Sequence, residues 1–63
     1  MFSKNLKKYR KENRLTQKDL ADKLKVSDKT VNHWENNYSR PDIDTLRDIK
    51  NILDVTYEEL LDD

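Results

Sequence analysis

The chain has no glycine and a single proline in 63 residues, so the strongest punctuators of turns and breakers of helices are almost missing. Helix formers dominate the remainder. No stretch alternates apolar and polar residues for long, and no strand is predicted. Apolar residues instead recur at helical spacing. The predicted class is all-α: a compact bundle of five short helices forming one domain over residues 1–63.

The first helix is expected from about Ser3, as its cap, to Glu12, with Phe2, Leu6 and Tyr9 on one side and Lys4, Lys7, Lys8 and Lys11 largely around the rest. Asn13, a residue that tolerates the left-handed conformation, is expected to end it. The second helix runs from about Gln17 to Leu24. Thr16 caps it, Asp19 sits in capping-box register, and Leu20, Ala21 and Leu24 form its apolar face. After a tight connection at Lys25-Val26, Ser27 caps a third helix reaching about Asn36, with Val31 and Trp34 inward. Asn36-Asn37 stops it, and Tyr38 to Pro41 form a loop. Pro41-Asp42 opens a fourth helix expected to carry Ile43, Leu46, Ile49, Ile52 and Leu53 inward. Beyond a turn at Asp54-Val55, Thr56 and Glu59 form a capping box for a last helix bearing Leu60 and Leu61.

Each helix is shorter than the ~12–15 residues that are marginally stable alone in water, so none stands without the others. There is no cysteine, hence no disulfide or thiolate metal site to staple the fold. A chain of this size buries only roughly 60% of its unfolded surface. One shared core is expected to hold Leu6, Leu15, Leu20, Leu24, Val26, Val31, Trp34, Leu46 and Ile49. No apolar run approaches the ~20 residues of a membrane span, and Met1-Phe2-Ser3-Lys4 has no signal-peptide pattern, so a cytoplasmic location is expected.

Charged residues are 41% of the chain, yet the formal net charge is zero. Their distribution is uneven. Residues 1–41 hold 11 Lys/Arg against 5 Asp/Glu, a balance of +6, and residues 42–63 hold 2 against 8, a balance of −6. Such a division can present a basic face to phosphates while the far side stays acidic. A well-solvated, highly charged helical surface explains the charge equally well. The second and third helices discriminate better. Two capped helices joined by a two- or three-residue turn are the pattern of a helix-turn-helix, whose second helix projects from the surface. A helix ~10–12 Å across fits the ~12 Å major groove of B-DNA. The outward residues of the third helix are Asp28, Lys29, Asn32, His33 and Asn36, each with a hydrogen-bonding group. Lys29 can donate to guanine, Asn32 could pair with adenine, Asp28 could accept from cytosine N4, and His33 could meet a base edge or a phosphate.

The run from Leu15 to Asn36, LTQKDLADKLKVSDKTVNHWEN, closely resembles the Cro and phage-repressor type helix-turn-helix DNA-binding family (XRE-like). The flanks Leu6-Lys7-Lys8-Tyr9-Arg10-Lys11-Glu12, Arg40-Pro41-Asp42-Ile43-Asp44-Thr45-Leu46 and Val55-Thr56-Tyr57-Glu58-Glu59-Leu60-Leu61 extend the match over nearly the whole chain. The resemblance implies a lambda-repressor-like fold and a transcriptional regulator, a repressor, of prokaryotic or phage origin. It implies that Gln17 contacts a phosphate at the start of the second helix and that Ser27 touches the backbone across the groove. Asp28, Lys29 and His33 match base-reading positions, with Asn32 and Asn36 beside them, and Arg40 falls in a loop that meets phosphate. Arg10 and Glu35 match a pair that forms an internal salt bridge in relatives. The family favours glycine where this chain has Lys25, and often where it has Asn37. A left-handed Lys costs up to ~1–2 kcal/mol. Double-stranded DNA is the implied partner, bound by a homodimer on a roughly palindromic operator.

Competing readings are bland. Trp34 is spaced from Val31 as a core residue, and Tyr38 and Tyr57 are read as packing at the core edge. His33 has no second His and no Cys with which to bind metal, and no cofactor or small-molecule ligand is indicated. One His, no Cys and no phosphate-cradling loop leave no nucleophile–base pair, so an enzyme is not expected. The alternative function is a protein-interaction module on the same fold, such as an antirepressor or an antitoxin-like partner binder, which the acidic end at 42–63 favours.

Overall fold

The computed structural model describes residues 1–63. It is all-helical, in the order α1 (Phe2–Glu12), α2 (Gln17–Leu24), α3 (Asp28–Glu35), α4 (Ile43–Leu53) and α5 (Tyr57–Leu61). Four of the five helix starts are written locally. The side chains of Thr16, Ser27, Asp42 and Thr56 each accept from a backbone N–H three residues on. Asp19 and Glu59 close the reciprocal bond in two full capping boxes. The exception is α1. Ser3 is not its cap but lies one residue inside the helix, buried. The Met1 ammonium donates to the Asp62 carbonyl (2.7 Å) and the Phe2 ring is in the core. Together these move the cap from Ser3 to Met1, two residues earlier.

The ends of α1 to α4 follow one rule. Arg14, Lys25, Asn37 and Asp54 all have positive φ, between 55° and 61°. In each case the next N–H reaches back five residues: Leu15 to Arg10, Val26 to Ala21, Tyr38 to His33 and Val55 to Lys50, at 2.9–3.2 Å. This is the Schellman motif, built here four times without glycine. Lys25, at φ 59° and ψ 40°, adopts the left-handed conformation that ordinarily favours glycine. The first helix does not stop on a left-handed Asn13, which keeps φ −86°. Its amide instead donates to the carbonyls of Tyr9 (2.8 Å) and Leu53 (3.2 Å), joining the ends of α1 and α4, and the turn falls on Arg14.

The α2 helix packs on α3, α1 lies against α3 and α5, and α4 against α2. The interior holds Phe2, Leu6, Leu20, Ala21, Val31, Trp34, Ile49, Leu53 and Leu60. Of the expected core, Leu15, Leu24, Val26 and Leu46 are only half-buried around this cluster, while Phe2, Leu53 and Leu60 join its centre. Ile43 was expected inward and is 78% exposed. At about 100° per residue it points roughly 120° away from Ile49, so the first turn of α4 carries it off the buried stripe. Leu61 is also largely exposed, because Leu60 alone of that pair faces the core. No helix is long and apolar enough to cross a membrane.

Candidate nucleic-acid interface

The third helix is divided by its own geometry. At about 100° per residue, Val31 and Trp34 fall together on the buried side. Asp28, Asn32, Asn36, Lys29 and His33 occupy an arc of about 140° centred opposite them. All five are exposed except His33, which is half-buried. The core thus holds α3 by two side chains and leaves its polar arc free of packing duty.

These polar groups are unequally available. Lys29 enters no ion pair, so its ammonium is free to meet an acceptor. Ser27 is occupied as the α3 cap, accepting from the Thr30 N–H (3.1 Å) and lying 2.9 Å from the Thr30 hydroxyl. Asp28 Oδ1 accepts from the Lys29 backbone N–H (2.9 Å), at the helix end where a negative charge is favourable. Asn36 is folded back, its amide donating to the Asn32 carbonyl (2.8 Å). Arg40 is exposed in the loop before α4, beside Phe2, Pro41, Leu46 and Leu61. Tyr38 is not packed at the core edge. It is 78% exposed, and its ring meets His33 edge-to-face at 5.7 Å. The His33 imidazole therefore has an exposed aromatic neighbour in Tyr38, a residue whose spacing reads as packing at the core edge. Tyr57 lies at the opposite end of the chain, with Lys50 Nζ 5.2 Å above its ring.

Behind the polar arc sits a buried ion pair. Arg10 Nε donates to Glu35 Oε2 at 2.6 Å and Arg10 Nη2 to Glu35 Oε1 at 3.1 Å, with the two side chains 8% and 2% exposed. The remaining guanidinium nitrogen donates to the Leu15 carbonyl (2.6 Å). This bidentate contact pins α3 to α1 and to the turn before α2. Gln17, at the start of α2, donates its amide to Glu35 Oε1 (3.1 Å) and accepts from Asn32 Nδ2 (3.3 Å). Gln17 and Asn32 are thus brought together, a link that residue spacing does not announce. Two carboxylates stand below the usual 3.8, each at a helix start. Asp19 accepts from the Thr16 backbone N–H and hydroxyl, and Asp42 from the corresponding groups of Thr45.

Two capped helices, a left-handed turn between them and a polar second helix define a helix-turn-helix protein. The helix-turn-helix family model matches residues 6–60, and the chain belongs to that family, of the Cro and phage-repressor type. It is 48% identical over 61 residues to the uncharacterized HTH-type transcriptional regulator YqaE of Bacillus subtilis, a match covering 97% of this chain and 53% of the relative. It is 36% identical over 60 residues to the HTH-type transcriptional regulator ImmR of the same organism, covering 95% and 47%. The chain spans about half the length of these curated relatives. Among solved structures it is similar to SinR, the master regulator for biofilm formation, in complex with DNA. The TM-score is 0.87 at 33% identity, over 98% of this chain and 100% of that one.

Proposed function

We propose that the chain is the DNA-binding part of a sequence-specific transcriptional regulator, a repressor of prokaryotic or phage type working in the cytoplasm. It binds and does not catalyse. The observation that carries this reading is the polar arc of α3, held rigidly by Val31 and Trp34 yet free of packing duty. The likeness to a regulator solved with DNA supports it. On this reading α3 lies in the major groove, with Asp28, Lys29, Asn32 and His33 toward base edges and Asn36 at the far end of the arc. Gln17, at the positive end of α2, Ser27 and Arg40 meet phosphates.

The length of α3 argues for pairing. Eight residues make a helix about 12 Å long, which spans roughly three to four base pairs at about 3.4 Å each. A site that short recurs too often to address one operator. Two copies on a palindrome, half-sites about one turn apart, double the information, so we propose a homodimer on double-stranded DNA.

The test is binding of the chain to duplexes enriched from a randomised pool, followed by fluorescence anisotropy. Affinity is expected to fall steeply from ~50 to ~200 mM salt. Replacing Lys29 and His33 together by Ala is expected to abolish preference for the enriched duplex while circular dichroism stays unchanged. A flat salt response, or full binding by the double variant, refutes the reading. That result would favour a protein-interaction module, for which the acidic segment 42–63 is the surface to examine.

A further inference from the structure

The polar side chains around α3 form a single line that begins in the interior and ends on the exposed arc. Arg10 donates to Glu35, Gln17 Nε2 donates to Glu35 Oε1 (3.1 Å), and Asn32 Nδ2 donates to Gln17 Oε1 (3.3 Å). Each link has a direction imposed by the one before it. A carboxylate paired with a guanidinium can only accept, so Gln17 must turn its NH2 toward Glu35. That leaves the Gln17 carbonyl for Asn32, which must answer with its own NH2. One hydrogen of that NH2 is taken up there. Its second N–H and its Oδ1 remain, on a residue exposed to solvent.

We infer that Arg10, Glu35 and Gln17 are positioning residues that lock the Asn32 amide in the one orientation in which it reads adenine at one base pair. The inference rests on the DNA-binding reading above. One acceptor beside one donor complements the adenine edge, where N6–H2 donates and N7 accepts. Guanine offers O6 and N7, both acceptors, and would set O6 against Asn32 Oδ1. An asparagine that turns over sets its NH2 against adenine N6–H2 and its Oδ1 against N7, so without the Gln17 bond the adenine contact has to be selected from a mixture of orientations. A charge buried behind the interface thereby selects a base that it never touches. The discrimination available from one such bidentate contact is roughly 5- to 150-fold.

The test has an arm without DNA. In a nitrogen-15 labelled sample of the chain, one side-chain amide hydrogen of Asn32 is expected to exchange with solvent several-fold more slowly than the other. Gln17→Ala should remove the difference. Equal, fast exchange of both hydrogens in the wild-type chain overturns the inference. The second arm is enrichment from a randomised duplex pool at ~50 mM salt. The wild-type chain is expected to enrich adenine at one position of the half-site, and Asn32→Ala to flatten that position alone. Gln17→Ala should weaken the adenine enrichment at that position, even though overall affinity drops. Glu35→Gln carries the most pointed outcome. Arg10 retains the amide oxygen, the new NH2 faces Gln17, and both downstream amides turn over. The turned Asn32 then sets donor against donor and acceptor against acceptor on adenine, and the adenine preference at that position is lost. Should this variant fail to fold, Asn32→Ala and Gln17→Ala still decide. Identical base frequencies for wild type and Asn32→Ala overturn the inference while leaving DNA binding in place. No enrichment by the wild-type chain removes the DNA reading and the adenine assignment with it, and the amide-exchange arm then reports on the hydrogen-bond line alone.

Discussion

Replacing Arg10 by Met removes the guanidinium while keeping most of the apolar stem, and three donations disappear with it. Two go to Glu35, and one, at 2.6 Å, goes to the Leu15 carbonyl. Glu35, whose side chain is 2% exposed, keeps Gln17 Nε2 as its one side-chain donor. Stranding a buried charge in this way costs about 3–5 kcal/mol. At ~0.05–0.15 kcal/mol per residue, a chain of 63 residues has about 3–9 kcal/mol of total stability. Arg10→Met is therefore expected to remove at least a third of it. With about 4–8 °C per kcal/mol for a domain of this size, the melting temperature should fall by roughly 12–40 °C. The double variant Arg10→Met with Glu35→Leu is expected to recover most of that loss, because an apolar pair in place of a buried ion pair is often neutral or better. Urea and thermal unfolding, followed by far-UV circular dichroism and by Trp34 fluorescence, measure both. A single-variant cost under about 1 kcal/mol, the size of an exposed ion pair, refutes the reasoning. So does a double variant no more stable than the single one.

Two further expectations concern the helix ends. Lys25→Gly relieves a left-handed lysine at a cost in unfolded-chain entropy, and the net effect is a gain of up to about 1 kcal/mol, read as a rise in melting temperature. A fall on that substitution would show that the steric penalty at Lys25 is smaller than the entropy cost of glycine. The second expectation is a pH dependence. Asp19 and Asp42 are held below 3.8 in the folded chain by hydrogen bonds from Thr16 and Thr45. A lowered folded value contributes stability that is complete above the unfolded value, about pH 4, and is lost as pH falls through the folded value. Asp42→Asn keeps a good cap but no longer titrates, so together with Asp19→Asn it should flatten the acid limb of the stability curve. An unchanged acid limb in the double variant assigns that slope to other groups.

Local chemistry accounts for most of what could be read before the fold was known. The caps at Thr16, Ser27, Asp42 and Thr56 each act across three residues, and the same short reach sets where α2 to α5 begin. The 3.6-residue period is equally local, and it separates Val31 and Trp34 from Asp28, Lys29, Asn32 and His33 without any partner being known. The Arg10–Glu35 pairing was legible only through resemblance to a family, since nothing in the spacing of these two residues predicts that they meet.

Tertiary structure decided the rest, because the deciding contacts join residues far apart in the chain. Asn13 was called to the Leu53 carbonyl, 40 residues away, and the left-handed stop passed to Arg14. Ser3 went into the interior because Phe2 did, and Ile43 came out because the first turn of α4 precedes its contact with the core. The Arg10–Glu35–Gln17–Asn32 line crosses separations of 25, 18 and 15 residues. The residue types on α3 name the groups available to read a base. The direction in which Asn32 presents its amide comes from a buried carboxylate that can only accept, and no window along the chain contains that information.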